Sequence, residues 1–419
     1  MQSDTVPPTA YDIDGQRWVK DTPGFTEAIA RAFDQRLRPR CLCRRNPDGQ
    51  GIEMYVARFM DSYIVKRMPE TGSQHAPDCP SHEPPAEFSG LGQVLGSAIT
   101  ENLTTGETTL KLDFPLTKMP SRSQMPPAGG DSDSVATDGT KLSLRGLLHY
   151  LWDQAELTRW HPGFAGKRTW ATVRRHLLQA AEHKLARGAA LRVRLYVPEP
   201  FSIDKRDEIN ARRLAQWHNA MAAPGKPQQL MLLICEVKEI AAARFGFKAV
   251  VKHVPDQAFA VDEQLYRRLA GRFESELTLW GAAEDIHMVM VATFGVSGSG
   301  VPTIQELCLM PVTRHWLPVE NEFEKQLLER LVSESRCFVK ALHYNLGRRD
   351  SIASALLTDT SAPVELHVVA QDHDCSSPRT ATDDKVASAT QRWAWYPRLQ
   401  SLPALPVKQA QMQPMCEVT

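Results

Sequence analysis

An α+β chain of the α/β type is what this sequence predicts: a small β-hairpin module followed by a mixed-sheet α/β domain. Three observations carry that expectation. Cysteines and histidines cluster between Cys41 and His82 around a short stretch that alternates like paired strands. Beyond residue 142, apolar runs of strand length alternate with segments of 3.6-residue apolar periodicity. Between these parts lies a Pro-, Gly- and Ser-rich stretch that cannot bury enough apolar surface to order itself.

The bounds set by composition are broad. The 419 residues allow two to three domains, and 42% hydrophobic with 23% charged residues is ordinary for a globular chain. Formal net charge is zero, so attraction to nucleic acid has to come from a local patch. The start of the chain lacks a basic segment followed by an apolar run, and no apolar stretch approaches the ~18 residues of a membrane helix. A cytoplasmic protein with reduced thiols is therefore expected, without a membrane partner or an evident small-molecule cofactor.

In chain order, residues 1–118 form the N-terminal region. Residues 23–37 predict a helix with Phe25, Ile29, Ala30 and Phe33 on one face. Residues 54–68 read as two strands turning at Met60-Asp61-Ser62, and residues 109–116 alternate like a strand. Residues 119–141 are the expected linker. Residues 142–370 open with a helical pair, 144–157 and 169–187, followed by a strand at 191–198 and a polar helix at 204–222. Residues 230–238 and 246–254 predict an antiparallel pair. One amphipathic helix follows at 262–280, then a buried strand at 287–294 with a partner at 304–310. A helix at 318–338 and a hairpin of 354–360 with 364–369 complete the domain. Residues 371–419 are expected to be mostly disordered tail, apart from Trp393-Ala-Trp-Tyr-Pro.

The Cys/His segment predicts a metal site. Tetrahedral zinc takes four thiolate or imidazole donors, and short spacings let one turn deliver two of them. Cys41 and Cys43 supply one pair and Cys79 a third ligand, and the fourth is His75 or His82, between which spacing does not choose. The competing account is a set of ordinary reduced thiols. Zinc here is expected to be structural.

Two further constellations are weaker. Residues 142–194 carry ten Lys/Arg against three acids in an otherwise neutral chain. Arg168, Arg174, Arg175 and Lys184, interleaved with Trp160 and Trp170, are candidates for contacts to nucleic acid, DNA foremost, because phosphates bind cations and unpaired bases stack on indoles. A solvated helix face is the plainer account. A magnesium-dependent nuclease site of the PD-(D/E)xK type would instead place an Asp and a Glu-x-Lys on adjacent strands. Its candidates are Glu236 with Lys238, and Asp359 with Glu365, where His367 stands in the lysine position. Turn residues at strand ends are the plainer account of these as well.

The strings Cys41-Leu-Cys-Arg, Met54-Tyr-Val-Ala-Arg, Lys66-Arg-Met-Pro, Gly72-x-x-His-x-x-x-Cys79, Leu342-His-Tyr-Asn-Leu and Leu357-Thr-Asp-Thr resemble the bacterial family known as domain of unknown function 1173. That resemblance covers residues 40–369 and includes the three N-terminal cysteines. It implies a metal-binding accessory protein associated with plasmids and integrative elements, acting on nucleic acid or with a protein partner. Two rivals stand beside that expectation: a metal-dependent nuclease and a non-enzymatic structural adaptor.

Overall fold

The computed structural model describes residues 9–45, 49–59, 62–69, 71–76, 79–119, 139–347, 352–369 and 391–409. The expected linker falls on residues 120–138, and the tip of the 54–68 hairpin on residues 60–61, both outside the described residues.

The N-terminal module is larger than a hairpin. Strands β1 (Ala10–Ile13) and β2 (Gln16–Val19), helix α1 (Phe25–Asp34), and strands β3 (Arg40–Arg45), β4 (Gly51–Phe59) and β5 (Ser62–Arg67) follow in sequence. They form an antiparallel sheet in the order β2-β1-β3-β4-β5. The first hairpin turns at Asp14-Gly15, both at positive φ (54° and 74°), which matches the twist of the flanking strands. Helix α1 buries Phe25, Ala28, Ile29 and Ala32, spaced three and four apart, against Tyr11, Ile13, Ile52, Met54 and Val56 of the sheet. Two strands on their own are marginal in water, whereas five strands and a helix enclose a small core.

The main core does not begin at residue 142. Leu91, Val94, Ile99, Leu110, Leu112, Phe114 and Leu116 pack with Leu142, Leu147, Leu151 and Trp152 in one cluster. Thr108–Leu110, before the linker, runs parallel to Lys184–Ala186, after it. The boundary expected at the linker therefore does not separate two cores.

The helical pair is Leu144–Gln154, capped by Ser143, and Trp170–Ala180, capped by Thr169. The second helix is shorter than expected. His183, Arg187 and Gly188 all take positive φ, and the chain turns there into the strand Lys184–Ala186. The strand expected at 191–198 is instead one helical turn, Leu191–Arg194, leading into the short strand Leu195–Tyr196. The polar helix is Arg206–Trp217.

Five strands then close on themselves: Met231–Ala242, Phe247–Val251, Phe259–Val261, Ile286–Val296 and Pro302–Thr313. Numbered one to five in chain order, they pair first–second, second–third, third–fifth, fifth–fourth and fourth–first. All pairs are antiparallel except third–fifth. Between the third and fourth strands lie two helices, Glu263–Arg272 and Glu274–Ala282, where one was expected; they break at Phe273 (φ −113°). Leu265, Leu269 and Phe273 bury into the same core as the barrel strands.

A last layer has the helix Glu322–Ser333 and a five-stranded sheet. In order, its strands are Gln391–Trp395, Val364–Val368, Ala355–Leu357, Phe338–Lys340 and Arg159–Trp160. Within the stretch read as tail, Gln391–Trp395 thus pairs parallel to Val364–Val368, with Trp395 buried at 2% exposure. Arg336, which is 3% exposed, donates from Nε and Nη2 to the Asp359 carboxylate at 2.8–3.2 Å and from Nη1 to the Pro406 carbonyl at 2.8 Å. This ion pair ties the C-terminal segment to the sheet. Removing one member leaves the other charged and uncompensated, so Asp359→Ala should destabilise the chain by about 3–5 kcal/mol in denaturant unfolding. A loss below about 1 kcal/mol would show that the pair is not buried as described.

Candidate metal centre

Cys41 and Cys43 sit two apart on β3, so alternation puts both thiols on one face. The ladder between β3 and β4 is irregular from Cys41 to Arg45, which frees Cys43 from strict register. Gly51 packs against the Cys41 carbonyl so closely that an added Cβ would lie 2.6 Å from that oxygen. The second half of the site is a closed loop. The Gly72 carbonyl accepts from the amides of His75 (3.3 Å) and Glu83 (3.0 Å), the Ala76 carbonyl from Cys79 (2.9 Å), and the Cys79 carbonyl from His82 (2.9 Å). These bonds bring His75 and Cys79 over β3.

Cys41, Cys43, His75 and Cys79 converge, with all four donor atoms within 4.8 Å of one another. Cys41 Sγ lies 3.8 Å from Cys79 Sγ, and His75 Nδ1 lies 3.3 Å from Cys43 Sγ and 3.7 Å from Cys79 Sγ. A tetrahedral ion at about 2.3 Å from sulfur and about 2.0 Å from nitrogen would set edges of about 3.8 Å and 3.5 Å, so the group fits one. Among the described residues it is the one group of three or more His, Cys, Asp or Glu side chains with that capacity. His82, though buried, stands outside it. Burial, with Arg159 adding to it, pulls the His82 imidazole down to about 4.

The electrostatics suit a cation. The hydrogen bond from Cys41 pulls the Cys79 thiol down to about 3, against burial, and His75 and the Ser81 amide (3.4 Å) assist. That same bond, with burial, pushes Cys41 up, and burial pushes Cys43 up. A dication bound among them would stabilise all three as thiolates. The Ala76 amide adds a donor to Cys43 Sγ at 3.5 Å.

The carboxylate candidates do not converge. Asp359 is held by Arg336, and Glu365 meets His367 Nε2 at 3.2 Å in the same C-terminal sheet. Glu236 lies in the barrel at 3% exposure, where its Oε1 accepts from Lys252 Nζ (2.5 Å) and His287 Nδ1 (2.6 Å). Lys238 is exposed one residue beyond Val237, on the bulge of the barrel's first strand. Lys252 and His287 are partners that sequence reasoning missed, since no local spacing links them to Glu236.

The basic patch is largely spent inside the fold. Arg168 donates to the carbonyls of Leu157 (2.9 Å) and Arg159 and lies over the Trp160 and Phe164 rings. Arg174 donates to the Val197 carbonyl at 3.0 Å. Lys184, at 7% exposure, donates to Thr108 Oγ1 at 3.1 Å and lies over the Tyr150 ring. Only Arg175 of the four is exposed. An exposed cation beside an exposed ring lies elsewhere, on the first barrel hairpin. At its tip Phe245 is 84% exposed, and the Arg244 guanidinium lies 5.4 Å from the ring centroid.

Among the described residues no helix is long and apolar enough to cross a membrane. A family model described as protein of unknown function (DUF1173) matches residues 11–398. No curated protein and no solved structure matches the chain.

Elemental analysis of the purified chain should find about one metal ion per molecule, bound in a closed four-ligand site. Cys79→Ser and His75→Ala should each lower that content, while His82→Ala should leave it intact. Because ligation requires deprotonated thiols, acidification should release the ion. A metal-free preparation in which Cys79→Ser unfolds at the wild-type midpoint would overturn the centre.

Proposed function

We propose that this chain, which belongs to the DUF1173 family of proteins of unknown function, is a zinc-stapled protein that binds single-stranded nucleic acid on its five-stranded barrel. Three thiolates and an imidazole at tetrahedral corners favour zinc over harder cations. All four corners are protein atoms, so the ion is structural and serves to hold the N-terminal module together.

The nucleic-acid reading is carried by the exposed Arg244–Phe245 tip of the first barrel hairpin. Its position matters more than its composition. A closed five-stranded Greek-key barrel with a helix between its third and fourth strands is the architecture of oligonucleotide- and oligosaccharide-binding folds, whose loops between strands one and two and between four and five grip the ligand. Residues 243–246 form the first of these loops and residues 297–301 the second. Lys238 and Lys248 lie on the two strands that carry the tip, where they can follow a phosphate backbone, and Phe245 can stack on an unpaired base. Architecture alone does not decide function, so the tip residues are what the reading stands on. An accessory role on a mobile element, as the family resemblance implies, is compatible with it.

Mobility shifts with a single-stranded oligonucleotide at two salt concentrations test this. Binding should weaken with salt, and Phe245→Ala should cost roughly 1–3 kcal/mol of affinity, largely restored by Phe245→Trp. Arg244→Gln should lower the salt slope by about one. No shift at low salt, or wild-type affinity in Phe245→Ala, overturns the reading.

A further inference from the structure

Below the hairpin tip, at the root of the same two strands, lies a cluster that the binding reading does not use. Glu236 is buried in the first barrel strand, Lys252 follows the second, and His287 opens the fourth. The carboxylate oxygen Oε1 takes hydrogen bonds from both Lys252 Nζ (2.5 Å) and His287 Nδ1 (2.6 Å). Burial opposes ionisation of Glu236, yet these two bonds outweigh it and hold the carboxyl below its usual range. The imidazole therefore has a fixed anionic partner on Nδ1, which sets its tautomer and leaves Nε2 as the basic nitrogen. Its side chain remains 28% open to solvent, and that of Lys252 43%.

The ring is held on its face as well as its edge. His287 stacks on Trp316 at 4.7 Å between centroids with 4° between planes. Trp316 is 4% exposed, has φ 62°, and its carbonyl accepts from Trp152 Nε1 at 3.3 Å. A bulky residue in the left-handed region is strained, and such strain gathers where a side chain must be aimed. Trp316 also packs on Trp170 (5.6 Å), which stacks on a second imidazole, His253 (5.9 Å, 14°). His253 likewise has positive φ (70°), and its Nδ1 accepts from the Phe201 amide at 3.2 Å. That bond places the His253 proton on Nε2. Two imidazoles with opposite tautomers, one a base and one a donor, thus flank one indole pair beside an exposed ammonium.

We propose that His287, positioned by Glu236, is a general base that cleaves single-stranded RNA held on the barrel, with Lys252 as the cationic partner. This inference rests on the nucleic-acid reading and names the substrate class. An imidazole base and an ammonium beside it are groups that attack by a ribose 2′-hydroxyl calls for. His287 Nε2 takes the 2′-hydroxyl proton as the 2′-oxygen forms a bond to phosphorus. The bond from phosphorus to the 5′-oxygen breaks, and that oxygen receives a proton from the imidazolium or from water. A 2′,3′-cyclic phosphate and a 5′-hydroxyl end result, with no change of oxidation state. Lys252 offsets charge on the non-bridging oxygens.

The test uses the full-length, metal-replete chain, a fluorogenic single-stranded RNA oligonucleotide and the DNA oligonucleotide of the same sequence. RNA should be cut to cyclic-phosphate ends and DNA left whole. His287→Ala should lower the rate by about 10²–10⁴-fold while leaving the mobility shift of uncleaved oligonucleotide unchanged. The charged groups facing the His287 ring are Glu236 and Lys252, with Trp316 on one face and His253 beyond Trp170. Glu236→Gln keeps a polar partner beside the ring but no longer fixes which nitrogen carries the proton, so it should lower the cleavage rate while leaving the mobility shift and the unfolding midpoint near wild type, which a merely structural loss would not do. Intact RNA, or cleavage equal in His287→Ala, overturns this proposal even where the oligonucleotide binds. Absence of any binding overturns the reading beneath it instead.

Discussion

Closing a sheet of five strands gives every strand a partner on each edge, and in this molecule Met231–Ala242 meets its two barrel partners with different halves. Its first half bonds the fourth barrel strand from Met231 to Val237, and its second half bonds the hairpin partner from Val237 to Ala242. The switch occurs at the irregularity around Lys238, where one extra residue bends the strand. Everything else in the body is arranged about this bend. The apolar run Met231–Cys235 is fully buried and belongs to the same core as the Leu144–Gln154 and Trp170–Ala180 helices. Beyond the bend the strand leaves the core, and its hairpin projects Arg244 and Phe245 into solvent.

A second constraint governs the N-terminal module. Its buried cluster draws on small and medium side chains such as Ala28, Ala32, Ile13 and Val56, and two of its members are the thiols Cys41 and Cys79. A core of this size stabilises little on its own, and small scaffolds commonly add metal ligation. Thiolates that are unfavourable inside an apolar cluster become favourable once a dication sits among them, so a bound metal converts a defect of the core into a crosslink. The crosslink joins β3 to the loop carrying His75 and Cys79. That loop continues to Glu83, whose amide bonds the Gly72 carbonyl and whose carboxylate pairs with Arg67 of β5. Ligation therefore fixes both the sheet and the exit of the chain toward the body.

What was legible in the sequence was whatever is encoded locally. The three cysteines announced the centre by spacing, and long apolar runs such as residues 287–294 announced buried strands. The choice between His75 and His82 was not legible, because both are buried and both lie within a few residues of Cys79; only the direction of the loop separates them. Strands β1 and β2 were missed because four-residue strands carrying Asp12, Gln16 and Arg17 show little apolar pattern, although Asp14-Gly15 is a hairpin signal that could have found them. The Glu236–His287–Lys252 contact spans 51 and 16 residues of sequence and is made by barrel closure alone. Barrel closure itself rests on a single parallel bridge, Ala260 with Thr303, which no periodicity could announce.

The basic segment shows why composition misled. Its cations are real, but Arg145, Arg168, Arg174, Arg187 and Arg194 all donate to backbone carbonyls of neighbouring segments. Guanidinium groups are suited to this, because their planar fork satisfies carbonyls that helix ends and irregular chain leave open, while their stems cover apolar surface. A donor spent in this way has less to offer a phosphate, and its local charge is partly compensated by carbonyl dipoles. In a chain of zero net charge no long-range field makes up for that loss, so any affinity for an anionic polymer must come from short-range contacts on exposed groups. The first barrel hairpin answers that requirement, because it joins exposed cations to an exposed ring on a rigid two-stranded support. The proposed binding face therefore follows from where the fold leaves its cations unspent, and not from where the sequence concentrates them.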